Sequence, residues 1–106
     1  MTYAVYKYPL APLDRTRISL PSRSRILSTG RDPGGAVCVW ALVDVSAEPD
    51  TEHWEILVFG TGHPIPSEIA VNIGDPSVGS YMCQFVGTVA IPGSPLVWHI
   101  FARRVS

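Results

Sequence analysis

The chain has 106 residues, enough for one domain and too few for two. Its net charge of −1 excludes the broad basic field that holds nucleic acid. No apolar run approaches the ~18 residues of a membrane-spanning helix, and the opening MTYAVYKYPLAPLDR lacks the apolar centre of a secretory leader, so a cytoplasmic protein is expected.

Residues 2–8 (TYAVYKY) alternate Ala4, Tyr6 and Tyr8 against Tyr3, Val5 and Lys7. This is strand spacing, rich in a good β-former, and it closes at Pro9 and Pro12. Residues 15–20 place Arg15, Arg17 and Ser19 on one face and Thr16, Ile18 and Leu20 on the other, a half-exposed strand ended by Pro21. Residues 24–29 form a third short strand. Arg31-Asp32-Pro33-Gly34-Gly35 is a turn by residue type and predicts a hairpin into residues 36–45. That arm (AVCVWALVDV) is apolar on both faces up to Asp44, as a central strand is. A polar connection with Pro49 leads to residues 53–59, and the two arms are expected to pair as a second hairpin.

Residues 53–66 (HWEILVFGTGHPIP) are the stretch most suggestive of a site. Trp54, Ile56 and Val58 face one way; His53, Glu55, Leu57 and Phe59 face the other. Gly60-Thr61-Gly62-His63-Pro64-Ile65-Pro66 then leaves the sheet as a constrained loop, because its glycines permit positive φ and its prolines lack donors. Residues 67–80 are irregular: Ser67-Glu68 can cap a single helical turn, Ile69, Val71 and Ile73 alternate, and Gly74-Asp75-Pro76 breaks the pattern. A projecting loop or hairpin is expected there. Residues 81–91 return to strand, with Gly87 a bulge or a point of close approach. Pro92-Gly93-Ser94-Pro95 turns the chain into a last strand over residues 96–104. Seven or eight short strands without helical periodicity predict a single all-β domain over residues 1–106, a small antiparallel sandwich or barrel.

Charged residues make up only 16% of the chain, against about 25% in an average domain. A core shared between copies fits that composition, so a homo-oligomer is expected. Cys38 and Cys83 lie in apolar runs and read as buried thiols. No Cys or His pair has metal-ligand spacing, and neither a metal nor a cofactor is expected.

The candidate ligand residues are Gly60, Thr61, Gly62 and His63, joined by Arg15, Arg17 and Arg25. GTGH is neither a phosphate loop nor a dinucleotide fingerprint, since both need a following helix and Pro64 and Pro66 prevent one. Improvised anion binding by its backbone N–H groups stays open. His63 reads either as a ligand contact or as a structural loop histidine. His99 reads as a satisfied, half-buried side chain, and His53 as a surface one. The chain has one lysine and seven arginines, five of them between residues 15 and 31. Arginine suits bidentate recognition of phosphate or carboxylate; the competing reading is a solvated strand face that protects a sheet edge. Trp40, Trp54 and Trp98 read as core or interface residues. No nucleophile–base–acid arrangement, carboxylate pair or metal cluster is recognisable, so a non-enzymatic protein is expected.

WALVD (residues 40–44), GTGHPI (60–65), VGTV (86–89) and LVWHIF (96–101) together resemble a family of small phage and prophage proteins without an established activity. The resemblance covers most of the chain. The chain departs from the family pattern between Pro66 and Gln84, where it carries a longer segment. The resemblance implies a phage or prophage origin and a host-cell setting. A phage accessory protein that counters host defence is then expected, by binding a host defence protein or a small anionic signalling nucleotide. The alternatives are a virion or assembly component and a small hydrolase using His63.

Overall fold

The computed structural model describes residues 2–11, 14–46 and 51–105, with Ser80 and Tyr81 described by backbone alone. The expected turn prolines Pro12 and Pro49 lie outside these residues. The described residues form seven strands: β1 (Tyr3–Pro9), β2 (Arg15–Pro21), β3 (Arg25–Arg31), β4 (Val37–Asp44), β5 (Thr51–Gly60), β6 (Gln84–Ala90) and β7 (Val97–Arg104). They build two antiparallel sheets, one ordered β1-β4-β3 and the other β2-β5-β7-β6. The slab measures 43 × 36 × 18 Å, two layers deep, and the fold is the all-β sandwich expected. Among the described residues, no helix is long and apolar enough to cross a membrane.

The period-two pattern decides which side chains meet between the layers. Val39, Ala41 and Val43 of β4 and Ile26 of β3 face Ile18 and Leu20 of β2, Ile56 of β5, Val89 of β6, and Ile100 and Ala102 of β7. All ten are at most 9% exposed. Trp54 and Trp98 pack against the rim of this core. Trp40 sits half-buried on the other face of β4, with its ring over Gly30.

The hairpin expected at residues 31–35 joins β3 to β4. The Asp32 carboxylate accepts the Ala36 N–H at 3.0 Å and pairs with Lys7 Nζ at 2.9 Å. The Lys7 hydrogen bond, with the Ala36 amide behind it, holds the Asp32 carboxyl below its ordinary range, and the same contact raises Lys7. The second expected hairpin does not form. β4 pairs with β1 and β3, whereas β5 pairs with β2 and β7 in the opposite sheet. Both strands carry an apolar inner face, and each satisfies it by facing the other across the core instead of lying beside it.

Residues 67–83 do not project; they fold back over the outer face of the four-stranded sheet. Ser67–Ala70 forms one helical turn, α1, with Pro66 as its N-cap and no side-chain cap. The backbone is then tied to the start of β6 by Gly74 N–H to Cys83 O and Cys83 N–H to Asn72 O, both 2.9 Å. A kinked 3-10 segment, Pro76–Tyr81, intervenes, with the Asp75 carboxylate accepting the Ser77 N–H at its start. Ile69 and Cys83 meet Leu57 and Phe101 in a second buried cluster, flanked by Phe59, Ile65 and Ile73. Thus β5 and β7 are covered on both faces, with Ile56 and Ile100 turned to one core and Leu57 and Phe101 to the other.

Gly87 meets the expectation of a bulge and of close approach. The β6–β7 register shifts between Phe85 and Gly87, and a Cβ on Gly87 would lie 2.9 Å from the Thr29 methyl of the facing sheet. Gly87→Ala should therefore cost about 1–3 kcal/mol in urea unfolding. Adding Thr29→Ser, which removes the methyl and keeps the hydroxyl bond to Cys38 O, should return much of that loss.

Cys38 and Cys83 are buried and unpaired. Burial pushes both thiols above their ordinary range, which makes them poor nucleophiles at neutral pH.

Candidate functional site

The sandwich opens at both ends, and the two mouths differ in charge. The first lies where β5 ends and β7 begins. The Gly60 C=O accepts the His63 N–H at 3.0 Å, which closes a tight turn with Gly62 at φ 82°. The His63 ring lies so close over Gly60 that a Cβ there would sit 2.7 Å from Nδ1. The turn is latched to the sheet: Thr61 N–H donates to Val97 O at 3.3 Å, and Thr61 Oγ1 lies 2.7 Å from His99 Nε2. His99 Nδ1 is 3.1 Å from Thr88 Oγ1. His99 is thus half-buried with both ring nitrogens engaged, as the sequence implied.

Gly60, Thr61 and His63 line a hollow of about 190 Å³ together with Asp14, Val58 and Trp98. A mostly apolar hollow of about 160 Å³ shares the Val58 and Trp98 walls. The charged group at this mouth is the Asp14 carboxylate, and no arginine reaches it. It is a poor anion site. The Thr61–His99 contact joins a hydroxyl to an imidazole, as a nucleophile–base pair does. The far nitrogen of His99 is held by a hydroxyl, however, and no carboxylate touches the ring among the described residues. Without one, an imidazolium formed there has no stabilising partner, so the contact serves as a latch.

The second mouth lies at the other end of the sheet, where the chain crosses from β2 to β3. Trp54 pairs with Arg104, and Gly60 with Trp98. At ~3.3 Å per residue, the two mouths are about 20 Å apart along β5. This pocket holds about 450 Å³, inside the ~300–1,000 Å³ range of small-molecule sites. Arg23, Arg25 and Arg104 line it with Glu52, Trp54 and Gln84. Three guanidinium groups against one carboxylate leave the mouth positive.

Its framework is fixed from β5. Glu52 is 6% exposed. Its Oε2 lies 3.0 Å from Arg104 Nε, and its Oε1 accepts the Arg23 N–H. Arg23 has φ 63°, left-handed for a side-chain-bearing residue, and the Glu52 contact pins that corner. The indole N–H of Trp54 is buried and has no acceptor among the described residues. A buried unpaired donor costs about 1–3 kcal/mol.

The candidate residues do not converge. Gly60, Thr61 and His63 share the first mouth, and Gly62 does not line it. Arg25 lines the second mouth. Arg15 sits on the outer face with Glu55, whose Oε1 is 3.6 Å from Arg15 Nη1 and 2.6 Å from Arg103 Nη2. Arg17 is exposed on β2 and makes no ion pair among the described residues. His53 is half-buried at the surface, with Nδ1 3.2 Å from Ser19 Oγ, and Glu52 lines the second mouth. The sequence reading missed Glu52 and Trp54 as site residues. The available signal was their i, i+2 spacing on one face of β5, opposite the arginine-rich β2–β3 corner. No group of three or more His, Cys, Asp or Glu side chains able to hold a metal occurs among the described residues.

No curated protein and no solved structure matches the chain. One family does, over residues 1–106. The chain belongs to the family described as a domain of unknown function (DUF7352).

Proposed function

We propose that the protein is a non-catalytic binding module that takes a small phosphate-bearing ligand of the nucleotide class in the mouth lined by Arg23, Arg25 and Arg104. The observation that carries this reading is the convergence of three guanidinium groups, against one carboxylate, on a pocket of about 450 Å³. Phosphate oxygens accept from guanidinium forks, often two at a time. The anion site foreseen at GTGH is thereby moved to the opposite end of β5. On the resemblance to phage proteins, sequestering a host signalling nucleotide in the host cytoplasm is the role such a module would serve.

Thermal shift and calorimetry with inorganic phosphate, AMP, ADP-ribose and cyclic dinucleotides test the reading. A ligand at 100 times its Kd should stabilise the fold by about 2.7 kcal/mol. Arg25→Ala and Arg104→Ala should each weaken binding about tenfold or more, while Arg17→Ala leaves it unchanged. Absence of any shift across the panel would overturn the proposal.

A further inference from the structure

A sandwich of two open sheets has four edges, and three of them are occupied or guarded. The β3 and β6 edges meet: Gln84 Nε2 donates to Ile26 O at 3.2 Å, and Gly87 abuts Thr29. The β2 edge is guarded by charge. Val58 N–H donates to Asp14 O, so Asp14, Thr16, Ile18 and Leu20 turn their backbone groups to β5, and Arg15 and Arg17 turn theirs outward. A copy approaching there would bring arginines against arginines.

The β1 edge differs. Val45 N–H donates to Thr2 O at 2.8 Å, and Leu10 N–H to Val37 O at 2.9 Å. The antiparallel alternation therefore commits Ala4, Tyr6 and Tyr8 to β4 and directs the N–H and C=O of Val5 and Lys7 away from the sheet. Pro9 falls in the same outward phase, where its missing N–H breaks no ladder bond. Val5 is 55% and Tyr6 48% exposed, so neither face of this stretch is covered. The single charge, Lys7, is paired with Asp32 of its own chain.

We infer that β1 is the interface between two copies of this chain, paired antiparallel about a two-fold axis through Tyr6. Val5 stands opposite Lys7 of the partner subunit, so each outward N–H meets an outward C=O and four bonds form from one sequence. Tyr6 stands opposite Tyr6 of the partner subunit in a non-hydrogen-bonded pair, the closer of the two antiparallel spacings. A two-fold at Lys7 would instead oppose two lysines. Such a contact is closed and isologous. It fuses two three-stranded sheets into one ordered β3-β4-β1-β1-β4-β3, and a net charge of −1 per chain offers little repulsion.

Light scattering on purified protein should give twice the chain mass of 11.5 kDa. Tyr6→Cys should form an interchain disulfide on mild oxidation, since Cys38 and Cys83 are buried and do not compete. Val5→Pro removes an N–H that β4 does not use, and should give a monomer with a wild-type circular dichroism spectrum. If Val5→Pro fails to fold, Tyr6→Glu, which opposes two carboxylates across the axis, should give the same monomer. A wild-type monomer at all concentrations, the outcome if the edge serves a strand of another protein, overturns the inference. So does a dimer that survives these substitutions, or one in which Tyr6→Cys does not cross-link.

Discussion

Ile69→Ala should lower the free energy of unfolding by about 2–5 kcal/mol, the range for removing a buried isoleucine. Ile69 is 1% exposed and sits with Leu57, Cys83 and Phe101. A residue in a projecting loop would give a change within about 0.5 kcal/mol, so urea denaturation distinguishes a packed segment from a hanging one. Val71, two residues on and 68% exposed, is the internal control: Val71→Ala should fall within the small range. The loss at Ile69 should appear in the midpoint with the cooperativity unchanged, because Leu57 and Phe101 belong to the strands that also carry Ile56 and Ile100.

Glu52→Ala should move stability and ligand affinity in opposite directions. The substitution leaves the Arg23 N–H without its acceptor and releases Arg104, at a cost of about 1–3 kcal/mol. It also deletes the carboxylate from the arginine pocket. A unit charge ~8 Å away at an effective dielectric of ~20 acts on an anion with about 1–2 kcal/mol after screening, so phosphate or nucleotide affinity should rise about tenfold by calorimetry. Glu52→Gln separates the two effects. Its amide oxygen can still accept from Arg23, so affinity should rise with a smaller loss of stability. A fall in affinity in both variants would mean that Glu52 contacts the ligand.

Most strands were legible because they carry a two-residue period bounded by proline or glycine, and β4 because it is an apolar run after a Pro-Gly-Gly turn. Trp54/Ile56/Val58 and Thr16/Ile18/Leu20 are the clearest cases, and both faces were assigned correctly. Pairing was less legible. Sequence neighbours usually lie side by side, and nothing local states that the connection after β4 carries the chain to the other layer. The packing of residues 67–83 was hidden because α1 is too short to show a helical period. A cue was present all the same: Leu57, Phe59 and Phe101 make the second face of β5 and β7 apolar, and an apolar outer face needs cover. The site was the least legible part. GTGH attracted attention by composition, yet its glycines shape a latched turn. The pocket at the other end assembles from Arg23 and Arg25, Glu52 and Trp54, and Arg104, three stretches that only the sheet order brings together.

The pairing of β1 with β4 and of β2 with β5 bears on how the chain emerges from the ribosome. Tyr3 pairs with Asp44 and Arg15 with Leu57. Each N-terminal strand therefore waits for a partner made roughly 40 residues later, about 2–8 s at ~5–20 residues per second. During that interval β1 is an unpaired apolar strand in the nascent chain, and Lys7 is its one charge. Asp32 arrives before β4 and can meet Lys7 only once the hairpin that holds it has formed. Lys7 thus carries the one charge of this segment until the hairpin is made, and its ammonium is then paired with the Asp32 carboxylate.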